Sequence, residues 1–223
     1  MKHLLILLAV LFIFAVPGEA LSDTIDDLAR KLDSYDRDVQ MSAIESLGKI
    51  GDEKAADVLF HFIYRKGENW RLKTRALRLL GDIRDPSVTD KLVSIFNDPF
   101  LNDVCPALKW NTAVALGQGF NRGSRAVEAL IGALDSDDLL IREAAIQSLG
   151  KIGDPFAVSH LIPRLSDERF SIKYSTLIAL KNIGSFEAIA PIKKLADTDR
   201  DAFLRDEALK AIKIISARIA TRQ

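Results

Sequence analysis

One short pattern recurs six times along this chain of 223 residues and constrains its fold more than any other feature. Each copy has an aliphatic residue, usually a basic residue beside it, a small residue four positions later and an aliphatic anchor four positions further on. Because positions i, i+4 and i+8 share one face of a helix, each copy predicts one amphipathic helix. The anchors are Leu47, Leu80, Leu116, Leu149, Leu180 and Ile212.

A second helix is predicted before each of these helices, because pairs of apolar residues four positions apart precede every copy. In the sixth copy the predicted pair is Pro191 and Leu195. Turn sequences rich in Gly, Asp and Pro separate the copies, and no stretch alternates with the period of a strand. Glycines that suit a left-handed helix end follow three of the copies at Gly51, Gly153 and Gly184.

The predicted fold class is therefore all-α, a right-handed α-solenoid of about six helix-turn-helix repeats. One helix pair cannot bury its apolar face alone, whereas stacked pairs form a continuous core and a curved surface. The third repeat departs from the pattern, because residues 97–106 lengthen the turn between its helices. We expect either a bend or an exposed loop there, although simple variation in the length of a surface turn explains it equally well.

The segment from Leu134 to Pro155, LDSDDLLIREAAIQSLGKIGDP, carries the clearest copy. Its acidic turn, its Ile-Arg pair, its Leu-Gly and its Gly-Asp-Pro resemble the short HEAT-like repeats of the phycobilisome-lyase type, and the resemblance extends from about residue 24 to about residue 216. The resemblance implies that the second helices line a concave, macromolecule-binding side. Some HEAT-like relatives are di-iron hydroxylases with paired His-Glu motifs, but no such motif occurs here.

The first 20 residues differ in kind from the repeats. Lys2 precedes an apolar run over residues 4–16, which Pro17 ends, and small residues follow at Gly18 and Ala20. This layout predicts a secretory signal peptide over residues 1–20 and a mature repeat domain over residues 21–223, exported to the periplasm or secreted. The run is shorter than the roughly 20 residues of a membrane span. Membrane attachment is expected only in the alternative case, an uncleaved anchor.

Charge and residue types argue against several other functions. The 31 basic and 31 acidic side chains cancel, whereas a protein that binds duplex nucleic acid needs a basic surplus. His61 and His160 occupy non-equivalent positions in their repeats, and a metal site needs three or four converging ligands. Cys105 has no neighbouring base in the sequence. We therefore predict no enzyme activity, no cofactor, and no catalytic or metal-binding residue.

The basic position of the repeat is predicted to be structural. Each basic residue is expected to pair with a carboxylate of the preceding turn and so to connect neighbouring repeats. The basic residues are Lys73, Lys109, Arg142, Lys173 and Arg205, with Gln40 in the first copy, and the expected partners are Asp36, Glu68, Asp103, Asp137, Asp167 and Asp201.

A row of outward-facing positions on the second helices is the predicted partner-binding surface. The row varies in chemistry, and its aromatic members are typical of interface hot spots. In the alternative interpretation, both aromatic residues cover junctions between repeats. The row reads Met41, Thr74, Trp110, Glu143, Tyr174 and Asp206, and the candidate binding residues are Met41, Thr74, Arg75, Arg78, Trp110 and Tyr174.

Three functions fit these observations. The first is an exported scaffold or adaptor that binds a protein partner through its concave face. The second is a lyase-like or cofactor-handling accessory enzyme, against which the signal peptide counts, because phycobilisome assembly is not the task of an exported protein. The third is a structural protein of the cell envelope held by an uncut N-terminal helix. The sequence specifies no oligomeric state.

Overall fold

The structure, a computed structural model, describes residues 18–67, 69–104, 106–118 and 123–221. Residues 1–17 of the predicted signal peptide lie outside this part of the chain, as do Glu68 and Cys105. The remaining three residues of the predicted signal peptide belong to the first helix, which begins at Gly18. Cleavage after Ala20 therefore stays a prediction.

Helices account for all the regular structure of the described residues, and no strand occurs among them. The first helices of the six repeats are α1 (Gly18–Lys31), α3 (Glu53–Tyr64), α5 (Pro86–Asn97), α8 (Ser124–Gly132), α10 (Val158–Leu161, extended by 3-10 turns at Pro155–Ala157 and Ile162–Ser166) and α12 (Ile189–Thr198). The second helices are α2 (Arg37–Ile50), α4 (Trp70–Asp82), α7 (Pro106–Leu116), α9 (Leu139–Ile152), α11 (Phe170–Ile183) and α13 (Ala202–Ala220), and a short helix, α6 (Pro99–Val104), precedes α7. The predicted α-solenoid of six helix pairs is confirmed.

The ends of the second helices follow from local sequence. The Asp36 carboxylate accepts a hydrogen bond of 2.9 Å from the amide of Asp38 and so caps α2, since the first amides of a helix have no partner within it. At the other end, Gly51, Gly153 and Gly184 adopt positive φ angles of 65°, 76° and 74°. The predicted left-handed helix ends are confirmed.

The two layers of helices share one continuous apolar core. In repeats one to five, the apolar pair predicted for the first helix and the anchor predicted for the second helix are all buried. The pairs are Leu28/Leu32, Leu59/Ile63, Leu92/Phe96, Leu130/Leu134 and Leu161/Leu165. The prediction for the sixth pair was wrong by one position at Pro191, which is half-exposed, whereas Ile192 is completely buried. The sixth repeat opens like the fifth, with a 3-10 turn at Phe186–Ala188 that corresponds to Pro155–Ala157, and Ile192 corresponds to Leu161, the first residue of the buried pair of the fifth repeat.

The second helices approach one another more closely than the first helices do. A Cβ atom added at Gly81 would lie 2.7 Å from the Cβ of Ala115, and one added at Gly150 would lie 2.6 Å from the Cα of Ala179. Only glycine permits this contact of backbone with backbone. Because the layer with the closer neighbours is the inner layer of a curved stack, we infer that the second helices line the concave side.

Candidate partner-binding surface

The basic position of the repeat closes the turn within its own repeat. Arg205 donates a hydrogen bond of 2.9 Å to the carbonyl oxygen of Asp199, Arg142 donates to the carbonyl oxygen of Ser136, and Lys73 donates to a carbonyl oxygen in the same way. These carbonyls follow the end of a first helix, where backbone acceptors lack partners within the helix. The structural role holds, but the predicted partners Asp36, Asp167 and Asp201 were wrong, since their carboxylates accept hydrogen bonds from backbone amides at the starts of the second helices. The pairings of Lys73 with Glu68 and of Lys109 with Asp103 stay predictions.

One residue at the basic position of the repeat, Lys173, also connects two repeats through a carboxylate. The Nζ of Lys173 lies 2.5 Å from Oδ2 of Asp199, which belongs to the following repeat, and both side chains are largely buried. Burial raises the pKa of Asp199, but the hydrogen bonds from Lys173 and from the amide of Asp201, together with the lysine charge, outweigh it and leave the pKa below its ordinary value. Lys109 lies 5.5 Å from the centre of the Phe96 ring.

The predicted row lies along the outward-facing side of the second helices. Trp110 on α7 is 41% exposed, while Met41, Thr74 and Tyr174 are half-buried on α2, α4 and α11. These residues therefore follow one layer of the solenoid rather than converging on one point. This arrangement suits an elongated contact, in which successive helices each contribute one side chain.

The two candidate arginines differ in their surroundings. Arg75 forms a two-pronged ion pair with Glu45 on α2, with Nε–Oε1 and NH2–Oε2 distances of 2.6 and 2.7 Å. The hydrogen bond from Arg75 is the main cause that holds the pKa of Glu45 below its ordinary value. The pair connects the first two repeats, so the charge of Arg75 is already neutralised. Arg78, one turn further along α4, is exposed.

Three aromatic rings form an exposed cluster that the sequence interpretation identified only in part. Phe170 and Tyr174 are stacked one turn apart on α11, with ring centres 5.9 Å apart, and Phe203 on α13 lies 5.7 Å from Tyr174 and 6.3 Å from Phe170. Phe170 and Phe203 remain 44% and 53% exposed. Their positions in the first turn of consecutive second helices are the sequence signal that was missed.

The cluster borders a shallow groove between α9 and α11. The groove has a volume of about 260 Å³, and its lining includes Tyr174, Ser175, Ile178 and Ala179 on α11 and Lys151 on α9. Glu143 on α9 accepts a hydrogen bond of 3.1 Å from the Ser175 hydroxyl. Neutral donors therefore hold this carboxylate in place, and it makes no ion pair among the described residues.

Other kinds of site receive no support from the part of the chain that the structure describes. None of its helices combines the length and apolar character needed to cross a bilayer. Within the same residues, no three His, Cys, Asp or Glu side chains are grouped to hold a metal ion. His61 contacts the carbonyl oxygen of Asp57 at 2.7 Å, and His160 lies beside the ring of Phe156.

Comparison with known proteins agrees with the repeat pattern. The family model for HEAT repeats matches residues 98–175, and the model for PBS lyase HEAT-like repeats matches residues 39–59. No curated protein matches the chain.

Similar solved structures share the fold at low sequence identity. An engineered protein is 19% identical over 86% of this chain and 96% of its own, with a TM-score of 0.58. The complex of CpcE and CpcF of phycocyanin lyase from Nostoc sp. PCC7120 is 20% identical over 84% of this chain and 75% of that chain, with a TM-score of 0.57. A designed armadillo repeat protein in complex with the peptide (KR)4 is 14% identical over 86% of this chain and 99% of its own, with a TM-score of 0.56.

The repeat pattern, the six observed helix pairs and both family matches agree. The chain therefore carries HEAT-like repeats, which the family models match over residues 39–59 and 98–175.

Proposed function

We propose that this protein is an exported scaffold or adaptor that binds a protein partner through the face of its second helices and catalyses no reaction. The observation that carries the proposal is the set of aromatic side chains exposed on this one layer. Trp110 and the cluster of Phe170, Tyr174 and Phe203 all project from second helices. Large exposed aromatic groups in an ordered framework are typical of interface hot spots.

The framework that carries these rings is rigid. The glycine contacts between second helices fix the spacing of the repeats, and ion pairs between repeats, such as Arg75–Glu45 and Lys173–Asp199, add specific links. A surface that is already ordered loses little conformational entropy when a partner binds. The layer of second helices is therefore suited to recognition by its shape.

Two further observations support parts of the proposal. The designed armadillo repeat protein with the same fold is complexed with a peptide, and we infer that the corresponding face of this chain likewise binds a polypeptide. The basic start, apolar run and small residues of the first 20 residues support export. We propose that the mature protein starts at Leu21 and acts in the periplasm or outside the cell.

A crosslinking pull-down from the native cell envelope tests the proposal. Wild type is compared with a Trp110→Ala/Tyr174→Ala double variant, and a Phe156→Ala/Phe186→Ala variant serves as the matched control. The control removes two rings that are 61% and 73% exposed at the starts of first helices. Matching circular dichroism melts establish that all three proteins are folded.

We expect a protein partner that wild type and the control capture and that the double variant loses. Equal capture by all three proteins would show that the predicted row does not bind the partner. A purified protein that is coloured or contains bound metal would favour the lyase-like or cofactor-handling alternative. Intact mass measurement tests export, because a mature chain that still contains residues 1–20 would contradict cleavage after Ala20.

A further inference from the structure

The chemistry around the aromatic cluster defines what kind of partner segment fits it. The cluster joins the fifth and sixth repeats, since Phe170 and Tyr174 lie on α11 and Phe203 lies on α13. It occupies the N-terminal ends of these helices, beside the groove between α9 and α11. A side chain of the partner that binds here therefore contacts aromatic rings from two repeats.

Two carboxylates flank this cluster. Glu143 on α9 and Asp206 on α13 occupy the same repeat position as Tyr174 on α11, so each lies one helix away from it. Packed helices are about 8–10 Å apart, which places both carboxylates within reach of a long side chain that rests on the rings. Neither carboxylate makes an ion pair within the described residues, and Asp206 is exposed.

Three of the basic groups nearby have partners of their own, whereas Lys151, which lines the groove between α9 and α11, is exposed. Lys210 on α13 pairs with Glu207 at 2.7 Å, and the hydrogen bond from Glu207 is the main cause that raises the pKa of this lysine. Lys173 is paired with Asp199, and Arg205 donates to backbone carbonyl oxygens of the preceding turn. Glu143 and Asp206 are therefore the carboxylates beside the rings that have no ion-pair partner among the described residues.

We propose that the surface formed by Phe170, Tyr174, Phe203, Glu143 and Asp206, here called the aromatic–acidic surface, binds an arginine side chain on an extended segment of the partner protein. The inference rests on the proposed function, because it names the chemistry of that partner. A guanidinium group stacks on aromatic rings and also forms directed hydrogen bonds with carboxylates. Lysine lacks the planar group, and an acidic segment is repelled.

The groove can bind a second side chain of the same partner segment. Its Ile178 and Ala179 offer an apolar lining beside Tyr174, which suits an aliphatic side chain. In an extended chain, residues two positions apart lie about 6.6–6.8 Å apart and residues three positions apart about 10 Å apart. Because neighbouring side chains of an extended segment point to opposite sides, the arginine on the rings and the apolar residue in the groove lie two or three positions apart in the segment.

The test measures the binding of a fluorescein-labelled octapeptide, in which two arginines and two leucines follow one another in turn, to the full chain by fluorescence anisotropy, because this spacing places arginine and leucine alternately on each face of an extended peptide. Matched peptides replace arginine with lysine or with glutamate, and arginine ethyl ester serves as a small-cation competitor. Two variants alter the surface without changing the core, namely Phe203→Ala and Glu143→Gln/Asp206→Asn. Their matched controls are Phe186→Ala and Glu187→Gln, which change an exposed ring and an exposed carboxylate at the opposite end of the helix pair.

We expect saturable binding of the arginine peptide, weaker binding of the lysine peptide and none of the glutamate peptide. Phe203→Ala should weaken binding about ten-fold. The carboxylate variant should weaken it about three- to ten-fold and reduce its dependence on salt. Both control variants should bind the arginine peptide as wild type does.

Four results would overturn the inference. They are the absence of saturable binding of the arginine peptide below about 1 mM, equal binding of the arginine and glutamate peptides, unchanged affinity in both surface variants, and competition by arginine ethyl ester at the same concentration as the octapeptide. The last result would show that the surface binds a small cation rather than an extended peptide segment. The proposed function fails separately, if the folded wild type captures no partner from the cell envelope.

Discussion

Gly150 offers a direct test of how the solenoid is held together, because its α-carbon faces the next repeat. A Cβ atom at this position would lie 2.6 Å from the Cα and 2.7 Å from the Cβ of Ala179, whereas ordinary van der Waals contacts are 3.4–4 Å. The atom in the way belongs to the backbone of α11 and cannot rotate aside. Gly150→Ala must therefore push the fourth and fifth repeats apart.

The expected magnitude is the difference between two opposing effects. Replacing a helical glycine with alanine stabilises a helix by about 1 kcal/mol. Forcing an extra carbon into a packed interior costs about 1–3 kcal/mol or more, and here the separation also loosens the contacts of the neighbouring side chains. We expect a net loss of about 0–2 kcal/mol in the free energy of unfolding, which lowers the melting temperature by up to about 8 °C in a chain of this size.

Gly132→Ala provides the matched control, because Gly132 is the last residue of α8 and no atom lies within 4 Å of an added Cβ there. The same chemical change should leave the melting temperature of this variant unchanged or slightly higher. Thermal melts followed by circular dichroism compare the two variants with wild type. If Gly150→Ala melts at or above the temperature of Gly132→Ala, the close contact between α9 and α11 does not limit the packing and the reasoning is refuted.

Two further predictions concern the core and the link between repeats. Ala145→Asp places a charge at a completely buried position and should unfold neighbouring repeats together; a melt identical to wild type would contradict the repeat register. Lys173→Met leaves the buried Asp199 carboxylate without its main donor, so the variant should lose about 1–3 kcal/mol at neutral pH. Because the pKa of Asp199 is lowered in the folded state, this contribution is present above its unfolded value near 4 and is lost as pH falls through the folded value. Urea unfolding at pH 7 and at about pH 2 should show the difference from wild type and then its disappearance; a constant difference would exclude the ion pair as its source.

Much of the fold follows from sequence spacing. The second-helix anchors, the apolar pairs of the first helices and the left-handed glycines were all predicted from positions three or four residues apart, because helix geometry is local. At α12 the spacing of the apolar residues alone was ambiguous, because Pro191 and Leu195 are four positions apart, whereas the buried residue that corresponds to Leu161 of the fifth repeat is Ile192.

The candidate surface was predictable only in part. Trp110 and Tyr174 were identified as members of one row, whereas Phe170 and Phe203 were missed because they lie outside that row in the repeat. Their proximity depends on how α11 packs against α13, which is a contact between repeats. The same reason explains Arg75, whose partner Glu45 belongs to another repeat and is 30 residues away.

The sequence by itself determined the number of repeats, the class of fold and the residues that form the core, because each of these depends on periodicities within single helices. Only the tertiary structure determined how deeply the residues at equivalent repeat positions are buried. Leu177 is completely buried by the sixth repeat, whereas Leu209, its equivalent on α13, is 49% exposed. It also decided that Arg142 and Arg205 bind carbonyl oxygens of the preceding turn, while Lys173 pairs with a carboxylate of the following repeat. The physical reason is that a repeat pattern defines each helix pair in isolation, while burial and pairing depend on which neighbour lies against it.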